Sequence, residues 1–253
     1  MRGRFRHISA FSPIAALVGL AVLWSAPVRA DWKSVQQVTL GTAQVLEPGA
    51  LTFGILSPIA YGVSERLTVE SHPILDLLLV PNLAARYRFV ERRAAIVSAI
   101  ASYKQSFYGQ SVGSGPTQGE LNLGGIGTWY LGDHLALSGG PSFAMRMDEW
   151  VPPSSRPARA GYYATTLGPG VSLQAHYLAG TRDLIMASVL SRYDVTLSHG
   201  DLPTGTLAWV HEWNTVSLIA GVSVGRFNFQ PFLFVQGAHT LPVMPLLDLW
   251  WRY

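Results

Sequence analysis

The chain has 253 residues, 18 Lys+Arg against 15 Asp+Glu, 13% charged and 11% aromatic residues, and no Cys. The absence of Cys excludes disulfides, thiolate metal ligands, a thiol nucleophile and a lipid-modified cysteine anchor. Residues 1–30 hold Arg2, Arg4, Arg6 and Arg29 and no acid, which leaves 14 basic against 15 acidic residues beyond them and no electrostatic support for a nucleic-acid partner.

Residues 1–30 read as a cleaved secretory signal. A basic start precedes an apolar stretch from Ile14 to Trp24, and Val28 and Ala30 occupy the −3 and −1 positions before Asp31. Residues 31–253 are then expected to form one domain. No segment beyond residue 30 has the roughly 18 consecutive apolar residues of a membrane-crossing helix. The longest apolar stretch, Ile74 to Pro81, is interrupted by Asp76. An apolar chain of this kind is either a soluble β-sandwich or barrel, or a membrane barrel, in which closed pairing satisfies every backbone group in lipid.

The patterning predicts strands over 39–46, 50–61, 65–72, 82–91, 94–107, 118–131, 135–148, 160–177, 183–197, 205–213, 215–229 and 243–253. In 82–91, Leu83, Ala85, Tyr87 and Phe89 oppose Ala84, Arg86, Arg88 and Val90. In 135–148, Leu135, Leu137, Phe143, Met145 and Met147 oppose Ala136, Ser138, Ser142, Ala144, Arg146 and Asp148. In 160–177, Tyr163, Leu167, Val171, Leu173 and Tyr177 oppose Thr166, Gly170, Ser172, Gln174 and His176. One face is apolar with aromatics near its ends; the other is small, polar or charged, the polarity of a membrane barrel with lipid outside. A soluble barrel would reverse it.

Three stretches are weaker. Alternation is poor in 39–46, Ile96 and Ile100 fall opposite Ala95, Val97 and Tyr103, and 205–229 also reads as one long strand, so ten strands is the alternative count. The connections support twelve. Those at 47–49, 73–81, 108–117, 149–159, 198–204 and 230–242 alternate with short turns at 62–64, 92–93, 132–134, 178–182 and Asn214. Both termini then share the side of the short turns, as in membrane barrels. Two of the expected outer connections are unusually apolar, 73–81 and 231–243; they read as a greasy entrance or a plug folded into the lumen, or else they extend strands or pack on the outer leaflet. The last strand places Val243, Leu247, Leu249, Trp251 and Tyr253 on one face and Met244, Leu246, Asp248, Trp250 and Arg252 on the other.

Two motifs carry a resemblance. Tyr61-Gly62-Val63-Ser64-Glu65-Arg66-Leu67-Thr68-Val69 resembles a hairpin turn common in bacterial outer-membrane barrel proteins. Leu247 to Tyr253 resembles their C-terminal assembly signal, carried by Leu247, Leu249, Trp251 and Tyr253, with Tyr in place of the usual terminal Phe. The similarity is to an uncharacterised porin-like or transporter-like group. It implies an all-β, antiparallel up-and-down transmembrane barrel, inserted into the outer membrane by the barrel-assembly machinery, and implies no particular solute.

The faces expected inside collect Glu70, Arg86, Arg88, Glu120, Arg146, Asp148, Arg192, Asp194, Glu212, Asp248 and Arg252, with Gln174 and His176 beside them. Two readings stand: a polar conduit whose charges set selectivity, or a lumen held shut by paired charges. Arg86 and Arg88 form either an interior basic rung or partners for Glu70. An outer-membrane lipid hydrolase would need a Ser and a His on one strand face. Ser71-His72 and Ser198-His199 are adjacent and point to opposite faces, and no Ser lies two residues from His211. The His residues lack metal-ligand spacing, and Gly124-Gly125-Ile126-Gly127 lies inside a strand, where Gly suits close packing. No enzyme activity, cofactor or metal is expected. The expected partners are outer-membrane lipid, the assembly machinery and an unidentified small solute. The leading expectation is a narrow channel or transporter; the alternative is a closed structural or interaction barrel acting through loops 108–117 and 149–159.

Overall fold

A computed structural model describes residues 32–77, 80–106, 118–150, 161–194, 199–200, 203–228 and 240–253. The signal-like leader, loop 108–117 and most of 149–159 and 230–242 lie outside them. The strands are β1 (Leu51–Gly54), β2 (Ile59–Ser64), β3 (Leu67–Ser71), β4 (Asn82–Arg92), β5 (Ala95–Ser106), β6 (Gln118–Tyr130), β7 (Leu135–Trp150), β8 (Gly161–Leu178), β9 (Asp183–Asp194), β10 (His199–Gly200), β11 (Thr204–Trp213), β12 (Val216–Asn228) and β13 (Thr240–Arg252). Twelve of them form a closed, antiparallel, up-and-down barrel; β10 is a two-residue spur on β9. β13 pairs with β1 through Thr52↔Arg252, Phe53↔Trp251 and Gly54↔Trp250, and this seam closes the ring.

The period-2 pattern explains the wall. Residues paired across neighbouring strands share a face. Leu137 meets Ala175, Phe143 meets Pro169, and Leu207 meets Ala187 on the outside. Leu173 and Leu247, each 64% exposed, show how completely this apolar face turns away from the protein. Phe53 stacks outside on Trp251 and Tyr253, with ring centroids 4.9 and 6.0 Å apart. The turn between β11 and β12 places Asn214 at φ 55°, a conformation Asn tolerates, and divides 205–229 into two strands. In β5, Ile96, Ser98 and Ile100 take the inner face, and Tyr103 is exposed.

The first strands differ from the sequence expectation. Residues 39–46 are not a strand, and 50–61 is not one strand but β1 and β2, separated by a bend at Ile55–Pro58. Gly54 permits the bend, because a Cβ there would lie 2.6 Å from the Ser57 Cβ. One expected strand is lost and another divides, so the total of twelve is unchanged. The turn at Glu47-Pro48-Gly49 is also not an outer loop. Gly49 N donates to Gly62 O, and Leu51 exchanges backbone hydrogen bonds with Tyr253, which places the turn near the end of the barrel carrying the C-terminus and the short turns. That end is called the turn end below, and the opposite one the loop end.

Candidate functional site: a plugged lumen

Residues 32–46 run through the inside of the barrel, and the exposed turn at 47–49 leads from them into β1. Trp32 N donates to Thr181 O (2.9 Å) and Val35 N to Asp133 O (2.8 Å), which anchors the segment to two turns at the turn end. A single 3-10 turn, Val35–Gln37, starts at Ser34, whose hydroxyl accepts from Gln36 N. Val35 and Val38 then bury completely with Trp32 and Ala43 in one apolar cluster. Its other members come from around the ring and include Ile96, Ile126, Leu178, Leu184, Val210 and Trp250. Burying a Val side chain stabilises by about 1.5–3 kcal/mol, so the plug and the inner wall form one core.

A coil in an apolar core must find partners for its backbone groups, and the wall supplies hydroxyls. Ser98 Oγ donates to Ala43 O at 2.5 Å, and Ala43 N donates to Thr128 Oγ1 at 2.7 Å. Thr128 in turn meets Ser138 Oγ at 2.8 Å, and Leu46 N donates to Thr68 Oγ1 at 2.8 Å. Arg86 reaches in from β4. Its Nη1 donates to the carbonyls of Thr39, Thr42 and Gln44, each at 3.0 Å, while its Nη2 pairs with Glu70 at 3.1 Å. Arg88 donates to Gln44 Oε1 (2.9 Å) and the Glu65 carbonyl (2.6 Å), and pairs with Glu91 at 3.0 Å. Gly41, at φ +69°, lets the plug pass the wall closely: a Cβ there would lie 2.0 Å from Gln174 Oε1 and 3.2 Å from His176 Nε2.

The structure places the remaining charged candidates in two groups. At the loop end, Glu120 pairs with Lys104 at 2.9 Å and faces Arg192 at 3.8 Å, and Asn122 donates to Glu120 at 3.0 Å. At the turn end, His176, Glu212 and Asp248 are buried, and Ser217 Oγ donates to Glu212 at 3.4 Å. Asp248 holds the β1–β2 bend, accepting from Leu56 N at 2.8 Å and from the Ser57 hydroxyl. The side chains of Arg146, Asp148 and Asp194 lie outside those described. His211, between Trp209 and Trp213, meets Asp183 Oδ1 at 2.8 Å, and Trp209 Nε1 donates to the same oxygen at 2.9 Å. That carboxylate therefore organises an aromatic cluster near the turn end. Among the described residues no group of three or more His, Asp or Glu is arranged to hold a metal ion.

Sequence reasoning missed Lys104, Asn122 and the whole plug. Its signals were the broken alternation of 39–46 and the small hydroxyl side chains on three inner faces, Thr68, Ser98 and Thr128. The chain matches no protein-family model and no curated protein.

Proposed function

We propose that the chain is a non-enzymatic outer-membrane barrel that forms a narrow, plug-gated conduit for small solutes. The observation that carries this reading is the division of the lumen. Its turn end is filled by residues 32–46, while Lys104, Glu120, Asn122 and Arg192 form a charged cluster toward the loop end. Charges of both signs around a passage tune which solutes enter it. The largely apolar outer face of the described strands and the leader-like residues 1–30 support a lipid setting. Twelve strands give a bore between the side-chain-filled eight-stranded size and open sixteen-stranded porins, wide enough to need a plug.

The test is conductance of refolded residues 31–253 in planar bilayers beside a variant lacking residues 32–46. Both are checked for folding by their heat-modifiable mobility. A quiet parent and a conducting variant fit the gated conduit. The completely buried Val35, Leu184 and Val210 favour a second reading, a permanently closed barrel that acts through its outer loops. Silence from both folded, inserted proteins selects that one.

A further inference from the structure

β1, β2 and β3 hold four, six and five residues. A tilted strand needs about 9–11 residues to cross the hydrocarbon of a bilayer. The nine other barrel strands have 10 to 18. Only the last residues of β13 find β1, and its edge from Thr240 to Asp248 has no strand partner on that side among the described residues. Among the described residues the wall is therefore low at one place, and the β1–β2 bend forms its sill. Ile55 and Leu56, on that sill, are 54% and 51% exposed, where a bend in water would carry polar residues.

Behind the sill lies a half-open pocket between the plug and the inner faces of β1–β4. Leu46, Pro58 and Trp250 give it apolar walls, and Thr52 and Thr68 add hydroxyls. Its charged residues, Glu70 and Arg86, neutralise each other at 3.1 Å.

We propose that the low wall is a side door through which an uncharged single-chain amphiphile, of the fatty-alcohol or monoacylglycerol class, passes from the bilayer into this pocket. The proposal rests on the bilayer setting of the preceding reading. The short strands open the pocket to hydrocarbon, so the alkyl chain need never cross water. The Thr52 hydroxyl in the lining suits a hydroxyl or ester oxygen. An acid headgroup would compete for Arg86 and leave Glu70 a part-buried, uncompensated charge.

The experiment uses the refolded protein in phosphatidylcholine vesicles containing a diazirine-bearing hexadecanol, with cross-links mapped by mass spectrometry. The expected result is labelling within 39–60 and 68–86 that monoolein suppresses and palmitate does not. Ala60→Trp and Thr52→Phe, which fill the pocket from the inner face, each lower that labelling about ten-fold and leave labelling near the outward Leu207 unchanged. Labelling confined to outward residues such as Leu207 and Leu247 overturns the side door while keeping the bilayer setting. Equal competition by palmitate overturns the uncharged class. Absence of labelling even at Leu207, in protein shown to be folded, overturns the bilayer setting and the door with it.

Discussion

Arg86→Ala tests the plug most directly. Nη1 faces three plug carbonyls at 3.0 Å but carries two protons, so it supplies about two full hydrogen bonds. Bonds to a charged group contribute about 1.5–3 kcal/mol each. The Arg86 side chain is 15% exposed and water partly replaces it, so the low end applies, about 3 kcal/mol. That corresponds to roughly a hundred-fold rise in the population with the plug released. The assay is modification of Ala43→Cys by a membrane-impermeant maleimide. Ala43 is completely buried and the chain has no other thiol, so the modification rate follows the released population when reclosing is fast. The rate should rise by about two orders of magnitude in Arg86→Ala. Glu70→Gln alone, which keeps the clasp, should change it by less than about ten-fold. A rate in Arg86→Ala within about three-fold of the parent would refute the clasp.

Other substitutions probe the wall. Gly41→Val combines a disfavoured positive φ with a clash at Gln174, and should destabilise by about 2–3 kcal/mol in urea unfolding; Gln174→Ala relieves the clash and recovers only part of the loss. Gly140→Ala puts a Cβ 1.9 Å from the Gly125 carbonyl oxygen, whereas Gly125→Ala meets nothing closer than 3.9 Å. The first should cost about 3 kcal/mol or more and the second less than about 1 kcal/mol, by the same unfolding measurement. Phe53→Leu removes a ring stacked on Trp251 and Tyr253 on the outer face. On the proposed lipid-facing wall the space is refilled by lipid and only the stacking is lost, about 1 kcal/mol in unfolding from lipid micelles; a loss above about 3 kcal/mol would show that the face packs against protein.

Much of the barrel was legible because its wall obeys one rule from end to end. In β7 and β8 outward Leu135, Leu137, Phe143, Val171, Leu173 and Tyr177 alternate with small or polar residues, and the pairing of Leu137 with Ala175 and of Ser138 with Gln174 follows from it. The plug obeys no such rule. Val35, Val38, Thr42 and Ala43 are enclosed on all sides, so no periodicity separates an inside from an outside, and Val38, Leu40 and Val45 mimic a poor strand. The inner hydroxyls resemble ordinary lumen polarity until the plug backbone is seen against Ser98 and Thr128. Arg86 was expected as part of an interior basic rung or as a partner for Glu70, but its three carbonyl partners lie more than 40 positions away, beyond any local pattern. The low wall was hidden because 50–61 has enough apolar residues for one full-length strand. Only the crowding at Gly54 and the clasp of Asp248 show that it folds back on itself.

The seam between β1 and β13 joins the two ends of the described chain, and such distant pairings are slow to form because the intervening chain must be closed into a loop first. Hairpins from β4 to β9 can assemble locally, but Thr52 and Arg252 must search for each other. The plug shortens the search. Once Ala43 docks on Ser98 and Thr128, the residues leading directly into β1 are tethered inside the forming sheet, and Leu51 is held within a few residues of a fixed point. Residues 32–50 thus act during folding as a template around which the last pairing is made, and ring closure should slow when Ser98 and Thr128 lose their hydroxyls, even where the finished barrel is nearly as stable.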